Sequence, residues 1–219
     1  MTALTCKAVL FDLDGTLLDT LEDLANSCNH ALRELGLPTH PVKAYRRFVG
    51  NGARVLIERI LPREALDDET IAKARALFDE HYHLHQFDRT QPYPGIPELL
   101  RALKENGLLL GVVSNKPDEF VQLIAAHYFP GVLDAVAGQQ GKLTKPDPTG
   151  VNKVMSTLGV TPEETLYVGD SGVDIETAHN AHTLDCGVNW GFRGAEELTR
   201  FGASHLADRP EDILKLLGI

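Results

Sequence analysis

Cysteine is scarce: Cys6, Cys28 and Cys186 are the only three in 219 residues. The count is odd, the spacings are long and no C-x-x-C pair occurs. That argues against a disulfide framework or a zinc knuckle and suits a reducing compartment. Positive charge is also in deficit, with 21 Lys plus Arg against 31 Asp plus Glu and a formal net charge of -10. Surfaces that bind nucleic acid or anionic membranes are basic, so neither partner is expected. A small anionic substrate remains compatible, because a local cluster of cations can override the overall field. No apolar stretch approaches the ~18 residues needed to cross a bilayer, and no apolar leader precedes Lys7. Internal repeats and low-complexity segments are missing too. The expectation is a soluble, cytoplasmic protein.

What is present is an ordinary apolar share, 43%, enough for one large domain or a domain with a smaller companion. Residues 8–11, Ala-Val-Leu-Phe, form a short continuous apolar run, as expected of a strand buried on both faces of a parallel sheet. Leu21, Leu24, Ala25, Cys28, Leu32 and Leu35 then recur at helical spacing. Asp19 with Glu22 resembles a capping box, and Gly36 followed by Pro38 ends that helix. Further helical segments follow, so residues 17–88 read as all-helical. The segment QPYPGIPELL marks a boundary. Beyond it, strands near 108–113, 134–137, 165–168, 184–188 and 204–207 alternate with helices. This grammar predicts an α/β fold, a Rossmann-like core with a mainly parallel sheet flanked by helices. The expected core comprises residues 1–16 and 89–219, with an all-helical cap, 17–88, inserted after the first strand.

Ligands of open parallel sheets bind beyond the carboxyl ends of the strands. The first strand ends in Asp12 and Asp14, the second in Ser114-Asn115, and a later one in GDSGVD, which holds Asp170 and Asp174. The loop GKLTKPDP carries Lys145. Hydrophobic patterning requires none of these. Several carboxylates without His or Cys favour a hard cation, and Mg²⁺ uses one or two carboxylates with waters and phosphate oxygens. Asp12 and Asp170 are suitable ligands. Mg²⁺ and Lys145 would offset phosphoryl charge, and Ser114 and Asn115 would donate hydrogen bonds to its oxygens. A carboxylate can attack phosphorus. Asp14, two residues on, could protonate the leaving group and then activate water. The pair Asp12 and Asp14 thus reads as a division of labour, with Gly15 allowing a tight turn beside the phosphate.

In order, DLDGT, VVSN, KPDP and GDSGVD closely resemble the four motifs of the haloacid dehalogenase superfamily of phosphatases. The resemblance spans nearly the whole chain, including the small helical cap after the first motif. It implies Asp12 as nucleophile and Asp14 as acid/base. It implies Mg²⁺ held by Asp12, the backbone carbonyl of Asp14, and Asp170, with Asp174 in support. It also implies Ser114 and Lys145 on the phosphate, and often a cis Lys145–Pro146 bond. Within the superfamily, RRFVGNGA and PYPGIPELL look most like the phosphoglycolate phosphatases. The expected function is hydrolysis of a small phosphorylated metabolite, 2-phosphoglycolate first among candidates, by a monomer or homodimer. Pyrophosphatase, sugar-phosphate phosphatase and β-phosphoglucomutase-like transferase are alternatives. A non-catalytic binding protein on the same scaffold is a remote one. The presence of Asp14 argues against dehalogenase chemistry.

Other features have plainer readings. Asp-Leu-Asp-Gly fails the EF-hand frame, because its fifth and sixth positions are Thr16 and Leu17. GNGARV lacks a third glycine and follows no strand, so it is not a dinucleotide loop. It reads as a cap turn facing the site, with Asn51 and the flanking Arg47 and Arg54 as candidate grips on a substrate carboxylate. Solvated arginines are the plain alternative. His81 and His85 lie one helical turn apart without an evident third ligand, and read as a half-buried helix face.

Overall fold

A computed structural model describes residues 4–141 and 143–219. Strand β1 (Ala8–Phe11) leads into a short strand β2 (Leu18–Asp19) and then into helices α1 (Leu21–Glu34), α2 (Tyr45–Phe48), α3 (Ala53–Ile60) and α4 (Asp68–His85). After β3 (Gln91–Pro92), helices and strands alternate. They are α5 (Ile96–Glu105), β4 (Leu109–Pro117), α6 (Asp118–Tyr128), β5 (Ala135–Gln139), α7 (Thr149–Leu158) and β6 (Thr165–Gly169). Then come α8 (Gly172–Asn180), β7 (Leu184–Val188), α9 (Ala195–Arg200), β8 (Leu206–Ala207) and α10 (Pro210–Leu217). The expected α/β fold is the one observed.

Six strands form one sheet in the order β5-β4-β1-β6-β7-β8, and every pairing in it is parallel. β1 is central, and all four of its residues are fully buried. Its uninterrupted apolar run follows from burial on both faces. Val9 and Phe11 face a large core that α5, α6 and α10 cover with Ile96, Phe120 and Ile213. Leu10 faces a smaller core built with Val151, Val154 and Met155 of α7 and Ala178 of α8.

The chain leaves and re-enters this layer through an antiparallel pair, β2 with β3. Helix from residue 17 onward therefore fails locally: Leu18 and Asp19 are extended, because each pairs across to the returning chain at Pro92 and Gln91. The expected capping box also fails, since Thr20 is the N-cap of α1 and Asp19 Oδ1 accepts the Leu21 N–H at 3.2 Å. Asp23 of α1 is buried and accepts from Arg89 N and Thr90 N, tying the outgoing helix to the incoming strand. α1 packs along α4, whose Ala74, Phe78 and Tyr82 are buried at helical spacing. His81 is half-buried and stacks between His30 and His85. No described helix is long and apolar enough to cross a membrane.

Candidate active site

β1 and β6 end side by side, and each stops at an aspartate. Asp12 N still donates to Val168 O at 2.9 Å, so the parallel ladder runs one residue past β1 and then breaks. The Leu13 carbonyl accepts from Thr16, Leu17 and Leu18 N–H, folding the next residues into a compact turn. Gly15 sits in that turn at φ 90°, and a Cβ there would lie 2.6 Å from Asp170 Oδ2. Only glycine tolerates both the dihedral and the approach. Gly191 closes the other side: its Cβ would meet Gly15 O at 2.3 Å and the Asp170 side chain at 2.4 Å. The Phe192 N–H donates to Asp170 Oδ2 at 2.6 Å. The Asp170 carboxylate is thus clamped between two bare backbones.

Asp12, Asp170 and Asp174 are buried, and an oxygen from each lies within 4.8 Å of the others. Lys145 Nζ is 2.7 Å from Asp12 Oδ1 and 2.8 Å from Asp174 Oδ1. It also lies 3.2 Å from the Val113 carbonyl and the Tyr167 hydroxyl. Asp174 has a second duty at the start of α8, where Oδ2 accepts from Ser171 N at 3.1 Å and Ser171 Oγ at 2.6 Å. The Lys145–Pro146 bond is cis.

The electrostatics are those of a site short of positive charge. Burial pushes the Asp12 carboxyl up to about 7; Lys145 pulls it down, and Asp174 and Asp14 push it up. Burial, then Asp174 and Asp12, raise Asp170 well above the carboxylate range. Burial disfavours the Lys145 ammonium, but Asp12 and Asp174 more than offset that and hold it charged. With all three carboxylates ionised, this one ammonium would leave two negative charges uncompensated in a small buried volume. A divalent cation balances them, and an all-oxygen donor set suits a hard one such as Mg²⁺. The residues present therefore fit the ion that the sequence suggested, with Asp12 and Asp170 placed to hold it.

Asp14 stands apart from this cluster. Its carboxylate accepts from Thr20 Oγ1 at 2.7 Å, and both its oxygens lie 3.0 Å from Lys116 Nζ. Asp12, Asp14, Ser114, Asn115 and Asp170 all line one cavity of about 50 Å³, room for roughly four waters. Leu24, Leu56, Phe78 and Phe120 supply its apolar walls. Lys145 lies behind Asp12 and lines the neighbouring cavity with Ser114 and Asn115. The side chain of Asn115 is already committed. Oδ1 accepts the Lys145 N–H at 2.7 Å, while Nδ2 donates to Lys145 O at 3.2 Å and to Gly50 O at 3.1 Å. It therefore positions the Lys145 loop and the 49–53 turn instead of offering its amide to a ligand.

The candidate cap residues do not reach the cavity. Arg47 is exposed, and Arg54 is exposed with Nε on Glu58 at 2.8 Å. Their positions on the outer helix faces put water, a better solvent for guanidinium, within reach. Asn51 is half-buried outside the lining, although Gly50 and Gly52 on either side belong to it. Three residues that sequence reading missed do line the cavity: Lys116, Tyr82 and Arg193. Arg193 Nη2 donates to Val49 O at 3.0 Å and fastens the turn to the core. The signal for Lys116 was its place directly after Ser114-Asn115 at a strand end. Nothing local marked Tyr82 or Arg193. Trp190 also donates Nε1–H to Thr16 O at 2.9 Å.

Comparison with known proteins places these observations among relatives. The profile of the family described as Haloacid dehalogenase-like hydrolase matches residues 9–188. A phosphoglycolate phosphatase of Vibrio vulnificus strain YJ016 is 36% identical, over 99% of this chain and 98% of its own. One from Aquifex aeolicus is 35% identical over 96% of both chains. A crystal structure from Lactobacillus delbrueckii subsp. bulgaricus superposes with a TM-score of 0.92 at 32% identity, covering 98% of this chain and 99% of that one.

Proposed function

The chain belongs to the haloacid dehalogenase-like hydrolases and is a phosphoric monoester hydrolase; from that premise we propose a Mg²⁺-dependent phosphatase that hydrolyses 2-phosphoglycolate through an aspartyl-phosphate. The observation that carries the proposal is the convergence of Asp12, Lys145, Asp170 and Asp174, buried and within ion-pair or ligand distance, beside a cavity that Asp14 and Ser114 also line.

Asp12 Oδ attacks phosphorus, forming a carboxyl–phosphate bond as the bond from phosphorus to the substrate's alcohol oxygen breaks. Asp14, having taken a proton from solvent as the substrate binds, hands it to that oxygen, so the alcohol departs neutral. Asp14 then takes a proton from a water whose oxygen attacks phosphorus, and inorganic phosphate leaves with Asp12 restored. Ser114 Oγ donates to a non-bridging oxygen, while Lys145 Nζ, paired with Asp12 and Asp174, adds positive charge from behind the nucleophile. Asp12, Asp170 and the Asp14 carbonyl would hold Mg²⁺, which would supply charge neutralisation for the two anions that must meet. Asp174 orients Lys145. The helices of residues 17–88 act as a cap that excludes bulk water over the reacting groups. Likeness over the full chain to a phosphoglycolate phosphatase, at 36% identity, supports 2-phosphoglycolate over the alternatives. Cytoplasmic location and a monomer or homodimer belong to the same reading.

The test is phosphate release with Mg²⁺ across 2-phosphoglycolate, pyrophosphate, glucose phosphates and ethyl phosphate. We expect 2-phosphoglycolate to lead, and Asp12→Asn to lower release at least a thousandfold with unchanged circular dichroism. A flat profile refutes the substrate, and an active Asp12→Asn refutes the nucleophile.

A further inference from the structure

Phosphoryl chemistry accounts for Asp12, Asp14, Ser114, Lys145 and Asp170, but it leaves two polar groups of the cavity wall unassigned. Lys116, in the tail of β4, has a side chain only 5% exposed. Its ammonium touches both Asp14 oxygens at 3.0 Å and lies 4.7 Å from the Tyr82 ring centre. An ammonium has three N–H donors, and Asp14 engages two of them. Tyr82, on α4, is 1% exposed, and its hydroxyl faces the Lys116 ammonium without closing a hydrogen bond of good geometry to any group. Its ring is fixed between Phe78, stacked at 5.5 Å, and Phe120, edge-on at 5.3 Å. A buried hydroxyl without a partner is costly and calls for an explanation. The other cation of the cavity wall, Arg193, is spent on Val49 O and the Glu197 carboxylate.

We propose that Lys116 Nζ and Tyr82 Oη together form a subsite for a carboxylate on the alcohol portion of the phosphomonoester. Both groups donate, so the ligand group accepts; Lys116 is cationic, so that group is anionic. Lys116 holds Asp14, the group assigned to the leaving oxygen, so the subsite adjoins the alcohol side of the scissile bond and not the phosphoryl side. The distance from the leaving oxygen is therefore short, which selects small carboxyalkyl phosphates. One donor comes from the sheet and the other from α4, so a bound carboxylate links the two layers. This inference rests on the phosphatase reading and sharpens it: selection falls to Lys116 and Tyr82, not to Arg47 or Arg54.

Ethyl phosphate is 2-phosphoglycolate with the carboxylate replaced by a methyl group, so the ratio of kcat/KM for the two isolates the subsite. Tyr82→Phe keeps the ring and removes only the hydroxyl. It is expected to lower that ratio about tenfold, the worth of one hydrogen bond to a charged group. Lys116→Met is expected to lower it about a hundredfold, and Lys116→Arg to recover part of the loss. An unchanged ratio in Tyr82→Phe overturns the proposal. Calorimetric affinities of the two compounds for Asp12→Asn protein, with and without Tyr82→Phe, read the same ratio without turnover. Should neither compound release phosphate from the unaltered enzyme, the phosphatase reading fails while this affinity ratio still decides the subsite: a tenfold fall supports it, and no change refutes it.

Discussion

On the proposed reading, the unbalanced charge around Asp12 is expected to make Mg²⁺ a pH-dependent stabiliser of the fold. The Asp12 carboxyl moves from 3.8 to about 7 on folding, chiefly through burial. Between those values the folded chain keeps a proton that the unfolded chain has lost. Stability therefore falls as pH rises through that window, and the loss is complete above about 7. Two pH units of it lie between pH 5 and 7, which at ~1.4 kcal/mol each come to about 3 kcal/mol. For a chain of this size that is roughly 6–10 °C of melting temperature. Asp170, also pushed up, acts in the same direction. A divalent cation needs the ionised carboxylates, so at pH 5 it must displace a proton and at pH 8 it need not. The Mg²⁺-induced rise in Tm is therefore expected to be larger at pH 8 than at pH 5, by up to roughly 6–10 °C at saturation. Differential scanning calorimetry in EDTA and in MgCl₂ at both pH values measures it. Asp12→Asn should remove most of the difference. An equal or smaller Mg²⁺ effect at pH 8 would refute the assignment of this cluster as a proton-competing cation site.

Three further outcomes follow from individual contacts. Asp23→Ala leaves the two donors of fully buried Thr90 unpaired, so urea unfolding should show a loss of about 2–6 kcal/mol; a loss below about 1 kcal/mol would contradict that. Gly191→Ala drives a methyl against Gly15 O and Asp170, and should lower kcat at least tenfold while costing roughly 1–3 kcal/mol of stability; wild-type kinetics would show the clamp to be unimportant. Asn115→Ala frees the Lys145 backbone and the Gly50 carbonyl, and kcat/KM should fall about 10- to 100-fold through misplaced groups, a change that steady-state kinetics reads directly.

Much of this protein is legible along the chain. The apolar run at β1 is continuous because both faces of a central parallel strand are buried, and that burial shapes composition residue by residue. Asp12, Asp14, Asp170 and Asp174 are conspicuous for the opposite reason: a carboxylate at the end of a buried strand is unfavourable unless something compensates it. Local patterns therefore sufficed to list the acids, Lys145 and the strand ends that bear them. Tertiary structure alone decided who meets whom. The pairing of Lys116 with Asp14 joins residues 102 positions apart, and Tyr82 reaches the same spot from a helix whose sequence shows only an apolar stripe. Arg47 and Arg54 had suitable chemistry in a suitable segment, yet helix phase turned them to solvent. Asn115 had the right neighbours, yet its amide was taken by Lys145 and Gly50. Chemical type is written residue by residue, whereas direction and partnership come from the packing of distant segments, which no local spacing encodes.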